Sequence, residues 1–116
     1  MRSSSIATKR AYDNPTPQDG VRILIDRLWP RGVSKTKLKL DAWPRELAPS
    51  TGLRKWYGHD PARWPEFRKR YQAELKDKSD LLVLLKLIAE ERTVTFIYAA
   101  SDEERNSAAA LKELLR

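Results

Sequence analysis

Two clusters of side chains in this sequence could do chemistry. The first, "DRLWPR" (Asp26 to Arg31), follows the apolar run Ile23, Leu24, Ile25 with no spacer. The second, Arg54, Trp56, Tyr57 and His59, holds the single histidine of the chain. A guanidinium presents a planar fork of donors that matches the oxygens of a carboxylate or phosphate two at a time, so Arg27, Arg31 and Arg54 are candidates for gripping an anion. A carboxyl and an imidazole are the usual movers of protons, which makes Asp26 and His59 candidates for general acid or base work. Trp29, before a proline, either packs as a hinge or offers a stacking face, and packing is the commoner use of an indole. Structural readings stand beside these: Asp26 and Arg27 can pair with each other or with loop backbone, and His59, before an Asp-Pro cap, can bond a carbonyl.

Composition removes other classes of chemistry. There is no cysteine, hence no disulfide, thiolate nucleophile or cysteine-ligated metal. With one histidine and no cage-like spacing of carboxylates, no metal site is expected. The four glycines, Gly20, Gly32, Gly52 and Gly58, fit neither the dinucleotide fingerprint nor the P-loop, and no cofactor is expected.

The net charge of +7 is unevenly spread. Residues 1–58 hold 12 Lys and Arg against 5 Asp and Glu, and residues 59–116 hold 11 against 11. Positive charge concentrated in one half favours an anionic partner. Two partner classes follow: a small anionic molecule held in a pocket, with or without a reaction, or a nucleic acid or acidic protein on a basic face. In "RWPEFRKRY" basic residues alternate with aromatics as in single-strand binders, although Trp64, Phe67 and Tyr71 share one helical face and are needed for a core. A concave site with converging arginines would favour the first class, a broad convex basic face the second. The opening "MRSSSIATKR" lacks the apolar run of a signal peptide, and no stretch approaches a spanning helix, so a soluble, cytoplasmic protein with no membrane partner is expected.

The elements that must position these groups read as a single α/β domain over residues 1–116. An edge strand lies around "IATKRAYD". Residues 21–26 form a central strand around the continuous apolar run Ile23 to Ile25, as in strands covered on both faces, and "TVTFIYAA" at 93–100 forms a second. "VSKTKLKLDAW" is ambiguous, because Ser34 could cap a short helix while Leu38, Leu40 and Ala42 alternate as in extended chain. Ser50 caps a short helix that Gly58 ends. Asp60 and Pro61 start another, carrying Phe67 and Tyr71 inward and reaching about Lys76, with Pro65 delaying or kinking its first turns. Ser79 caps a helix whose Leu81, Leu82, Leu84, Leu85 and Ile88 wrap so much of the circumference that burial on most sides is expected. A last helix carries Ala108, Leu111, Leu114 and Leu115. Strands separated by helices imply a small, three-stranded, mostly parallel sheet flanked by four to five helices, a Rossmann-like or flavodoxin-like layering. In such sheets ligands sit beyond the carboxyl ends of the strands, where following helices point their N-termini. That rule brings Asp26, Arg27, Trp29 and Arg31 to one edge with Ser101, Asp102 and Asn106, which leave the other strand. The expected core is Ile23, Ile25, Phe67, Tyr71, Leu81, Leu84, Leu85, Ile88, Val94, Phe96 and Leu111.

The blocks "VRILIDRLWPRGVSK", "LDAWPRELAPSTGLRKWYGHDPARWPEFRKRYQAEL" and "VTFIYAASDEERNSAAALKELL" resemble successive blocks of the YeaO-like family, small bacterial proteins classed as a domain of unknown function. The resemblance covers nearly the whole chain. It implies an α/β fold and a bacterial cytoplasmic origin, and it does not imply an activity. Longer relatives carry a cysteine in the last strand and a cysteine-histidine-arginine run after it, where this chain aligns Tyr98 and then Asn106, Ser107 and Ala108, so thiol chemistry cannot operate here. Short relatives often flank the asparagine with histidines, where this chain has Arg105 and Ser107.

Overall fold

The structure, a computed structural model, describes residues 6–115; the reading of the first residues as leaderless falls partly outside them. Strands β1 (Ile6–Arg10), β2 (Val21–Leu24) and β3 (Val94–Tyr98) form an all-parallel sheet in the order β1-β3-β2. Val21 to Leu24 lie opposite Val94 to Ile97, and Ile6 to Arg10 opposite Val94 to Tyr98. The parallel adjacency of the second and third strands is thus as the sequence implied, and every residue of β3 is buried. One expectation needs correction: β2 is an edge strand, not a central one. Its outer side meets only an isolated bridge from Ala42 to Ile23. Apolarity reports that the faces of a strand are covered and is silent about its edges, which explains the misreading.

The pleat divides the core in two. Ile23, Ile25, Val94, Phe96 and Tyr98 join a cluster built with α2 (Thr51–Tyr57), α3 (Trp64–Glu74), α4 (Ser79–Glu91) and α5 (Ser107–Leu115). Leu24 and Ile97 point the other way, toward Ala11 and Leu38, with Trp29, Val33, Leu40 and Trp43 packed around them. The second face is therefore covered by irregular chain and the single turn α1 (Lys35–Leu38), not by a helical layer. Both readings of the ambiguous stretch hold in succession. Ser34 caps α1, its side chain accepting from the Lys37 N–H at 3.1 Å, and beyond α1 the Ala42 carbonyl accepts from the Leu24 N–H at 3.1 Å.

The helix signals act locally as their chemistry dictates. The Ser50 hydroxyl accepts from the Leu53 N–H and donates to Glu74 Oε2, tying the start of α2 to the end of α3. Gly58 closes α2 in the left-handed region, at φ 54°. Asp60 caps a 3-10 turn, Pro61–Arg63, so α3 begins late, and Pro65 sits in its first turn, where a missing N–H costs nothing. Ser79 is not a cap: a 3-10 turn over Leu75–Lys78 runs straight into α4, and Ser79 is its first residue, with Lys78 in the cap position. Burial of α4 on most sides is also overturned. Only Leu85 and Ala89 are fully buried on it, Leu81 and Ile88 are partly so, and Leu84, expected in the core, is 52% exposed beside Val83 and Leu87. One covering layer can take only one face of a helix, however many apolar faces it offers.

A buried ionic network welds the amino end of the sheet. Asp19 takes Arg22 Nη1 at 2.6 Å and Lys9 Nζ at 2.9 Å, along with the backbone and hydroxyl of Thr16. Burial pushes this carboxyl up, but the donors of Lys9, Thr16 and Arg22 outweigh it and hold the group at about 2. Arg22 also donates to the carbonyls of Leu38 and Lys39, and the Thr95 hydroxyl donates to the Asp19 carbonyl. No described helix is long and apolar enough to cross a membrane.

Candidate functional site

Beyond the carboxyl ends of the strands lies a cleft of about 320 Å³. Asp26, Arg27, Trp29 and Arg31 reach it from the segment after β2, Arg54 and Tyr57 from α2, His59 from the turn after α2, and Asn106 and Ser107 from the start of α5. Seven of the nine candidate residues thus line one cleft, five of the seven that the strand-end rule named together with Arg54 and His59. Ser101 and Asp102 lie outside the lining. The Asp102 carboxylate is turned back on its own loop, accepting from the Glu104 and Arg105 N–H groups and the Arg105 guanidinium; these bonds, the Glu104 one foremost, hold its carboxyl below the usual range against its slight burial.

Among the described residues Asp26 has no ion-pair partner, Arg27 included. Its Oδ2 accepts from the Ala99 N–H at 2.8 Å, a donor that the parallel register would otherwise aim at the Ile25 carbonyl. That carbonyl is served by the Ser107 hydroxyl at 2.6 Å, and the same hydroxyl lies 2.8 Å from Asp26 Oδ1. A serine hydroxyl has one proton. The Ser107 hydroxyl can therefore donate to the Ile25 carbonyl or to Asp26, one at a time. Burial pushes the Asp26 carboxyl up, against the downward pull of the Ser107 and Ala99 hydrogen bonds and of Arg54 and His59, and the net direction is upward.

The three arginines are used differently. Arg27 is a strut: its Nε donates to the Pro49 carbonyl and its Nη2 to that of Ala48, fixing the approach to α2. Arg31 is exposed at the rim, where its carbonyl accepts from the Tyr12 hydroxyl. Arg54 lines the cleft with a buried Nε that has no hydrogen-bond partner among the described residues. Trp29 serves packing first, its indole donating to the Val33 carbonyl and meeting Trp43 edge to face at 5.4 Å. Asn106 is a helix cap: its Oδ1 accepts from the Ala109 N–H and its amide donates to the Asp102 carbonyl. His59 is exposed, 6.0 Å from Tyr57 ring to ring, and takes φ 58°, a conformation non-glycine residues rarely hold.

Sequence reasoning missed Ser107, Tyr12 and the Ala99–Ala100 pair. Tyr12 was within reach of it: once β1 neighbours β3, the residues leaving β1 must enter the same edge. Ser107 carried no signal beyond its place at a helix start. Among the described residues no group of three or more His, Cys, Asp or Glu is placed to hold a metal ion. Tyr98 and Asn106, which the resemblance aligns with cysteines of longer relatives, are both buried.

The family model described as the inactive DUF488-N3 subclade matches residues 5–116. The uncharacterized protein YeaO of Escherichia coli is 42% identical over 112 residues, covering 97% of each chain. An uncharacterized protein of Mycobacterium tuberculosis is 40% identical over 115 residues, 99% of this chain and 97% of that one. No solved structure matches. With a family model spanning almost its entire length and relatives alike from end to end, this chain belongs to the YeaO-like family, in the subclade described as inactive DUF488-N3.

Proposed function

We propose that this protein binds a small anion, a phosphate or carboxylate, in the cleft at the carboxyl ends of β2 and β3. The observation that carries the reading is Arg54: its side chain lines the cleft and its buried Nε has no acceptor among the described residues, so the guanidinium's hydrogen-bonding capacity is left unused by the fold. The Asp26 carboxyl, in the same cleft, is pushed upward by burial, which weakens its competition with an entering anion for Arg54. Arg31 and His59 add donors at the rim, and the first turn of α5 directs backbone N–H groups toward the same edge. The family's description as an inactive subclade supports binding without turnover. Asp26 and His59 remain the groups for proton transfer should a reaction occur.

The alternative is a nucleic acid or an acidic protein on the basic surface of the N-terminal half, and for a single strand that binds by stacking it needs free indole faces. Arg63 and Arg70 lie over Trp56, at 5.2 and 4.2 Å from the ring centroid, and Arg45 lies 3.9 Å over Trp43. These faces are already occupied, which favours the cleft. Inorganic phosphate and acetate, titrated by NMR into the parent protein, Arg54→Gln and Arg70→Gln, test the reading. Loss of roughly 2 to 4 kcal/mol of affinity in the first variant and little in the second is expected; equal losses would mean diffuse attraction to a basic surface and would sink it.

A further inference from the structure

The lining of the cleft is mixed, and the mixture says more about a ligand than the arginine alone. Five large apolar side chains are conspicuously exposed among the described residues, three of them on α4. The other two, Leu28 at 58% and Tyr12 at 43%, border the cleft. Neither is loosely held. Leu28 lies between Arg27, clamped to the Ala48 and Pro49 carbonyls, and Trp29, whose indole is bonded to Val33. Tyr12 donates to the Arg31 carbonyl at 3.1 Å, and the Arg10 guanidinium lies 5.1 Å from its ring centroid. Apolar surface kept exposed on fixed supports is a site for something to cover it. Size points the same way, since about 320 Å³ is at the lower end of the range for small organic ligands, roughly 300 to 1,000 Å³, and generous for a bare inorganic ion.

We propose that the ligand is an organic oxyanion with a flat apolar body, an aryl phosphate monoester or an aromatic carboxylate, its head on Arg54 and its body against Leu28 and Tyr12. This rests on the anion-binding reading and deepens it. The head meets the Arg54 guanidinium where it lines the cleft; the body covers the rim that a simple anion would leave wet.

The test is a calorimetric titration with inorganic phosphate, phenyl phosphate, benzoate and benzyl alcohol. Phenyl phosphate or benzoate should bind about tenfold more tightly than inorganic phosphate, as expected for covering part of one ring, and the better of the two identifies the head group. Benzyl alcohol should bind more weakly than either. Leu28→Ser should remove most of the gain, while Leu84→Ser, altering an equally exposed leucine on α4, should leave the affinities as in the parent. Phenyl phosphate and benzoate no tighter than inorganic phosphate, or a Leu28→Ser variant that keeps the gain, overturns the ligand class and leaves the anion site standing. Benzyl alcohol binding as tightly as phenyl phosphate overturns the anionic head. Failure of all the anions to bind the parent protein overturns the anion-binding reading itself.

Discussion

At the scale of single residues, the site turns on how protons and hydrogen-bond donors are shared. Asp26 takes the Ala99 N–H away from the sheet ladder, and Ser107 repairs the loss at Ile25. Because burial raises the Asp26 carboxyl above its ordinary value, its contribution to stability is fully present at low pH and is lost as pH rises through the raised value. Asp26→Asn should therefore flatten that alkaline-side decline. In the parent protein the Ala99 amide resonance should move with the Asp26 titration, and in the variant it should stay put. An Ala99 resonance that titrates only at the ordinary carboxylate value of about 4 would refute the upward shift. Much of the site was legible beforehand because strand ends and charge clusters are written in the sequence. The division of labour among the arginines was not. Whether Arg27 braces carbonyls or faces a ligand depends on where Ala48 and Pro49 pass, and Asp102 was misplaced because a turn of three residues reclaims its carboxylate.

At the scale of elements, α4 and the Asp19 network show what periodicity can and cannot reveal. Apolar spacing identified α4 as a helix and could not say which side would be covered, since Leu84 and Leu85 are chemically identical and differ only in direction. Leu85→Ala should cost about 2 to 5 kcal/mol in urea unfolding, and Leu84→Ala no more than about 0.5. Comparable losses would contradict the packing. The Asp19 network left no trace in the sequence, because Lys9, Asp19, Arg22 and Thr95 come from three strands and a 3-10 turn. Its carboxyl sits at about 2, below the ordinary 3.8, so its ionised form stabilises the fold above about pH 4, and this contribution, about 2 kcal/mol, disappears as pH falls toward 2. Asp19→Asn should lower stability at neutral pH by about 3 to 5 kcal/mol, since Arg22 would be left buried without its counter-charge, and should flatten the acid limb of the pH profile. An unchanged acid limb would assign acid unfolding to other groups.

At the scale of the whole molecule, the sheet is held together by its last strand. β1 and β2 do not touch; each pairs only with β3, which lies between them and near the far end of the chain. The N-terminal half thus supplies most of the cleft's charge and two of its strands, yet cannot assemble either unaided. Every strand pairing closes a loop spanning most of the sequence, an entropic cost met before any contact rewards it, so folding should be slow for a protein of this size. A chain ending at residue 92 should retain some helical signal but no slowly exchanging strand amides, and protection in residues 21–25 of such a chain would show that β2 can be nucleated without β3. On the ribosome the same order has a cost: the apolar segments of β1 and β2 emerge early and wait, unpaired, while some seventy further residues are added, a window in which an edge as sticky as Ile23-Leu24-Ile25 is open to aggregation or to a chaperone.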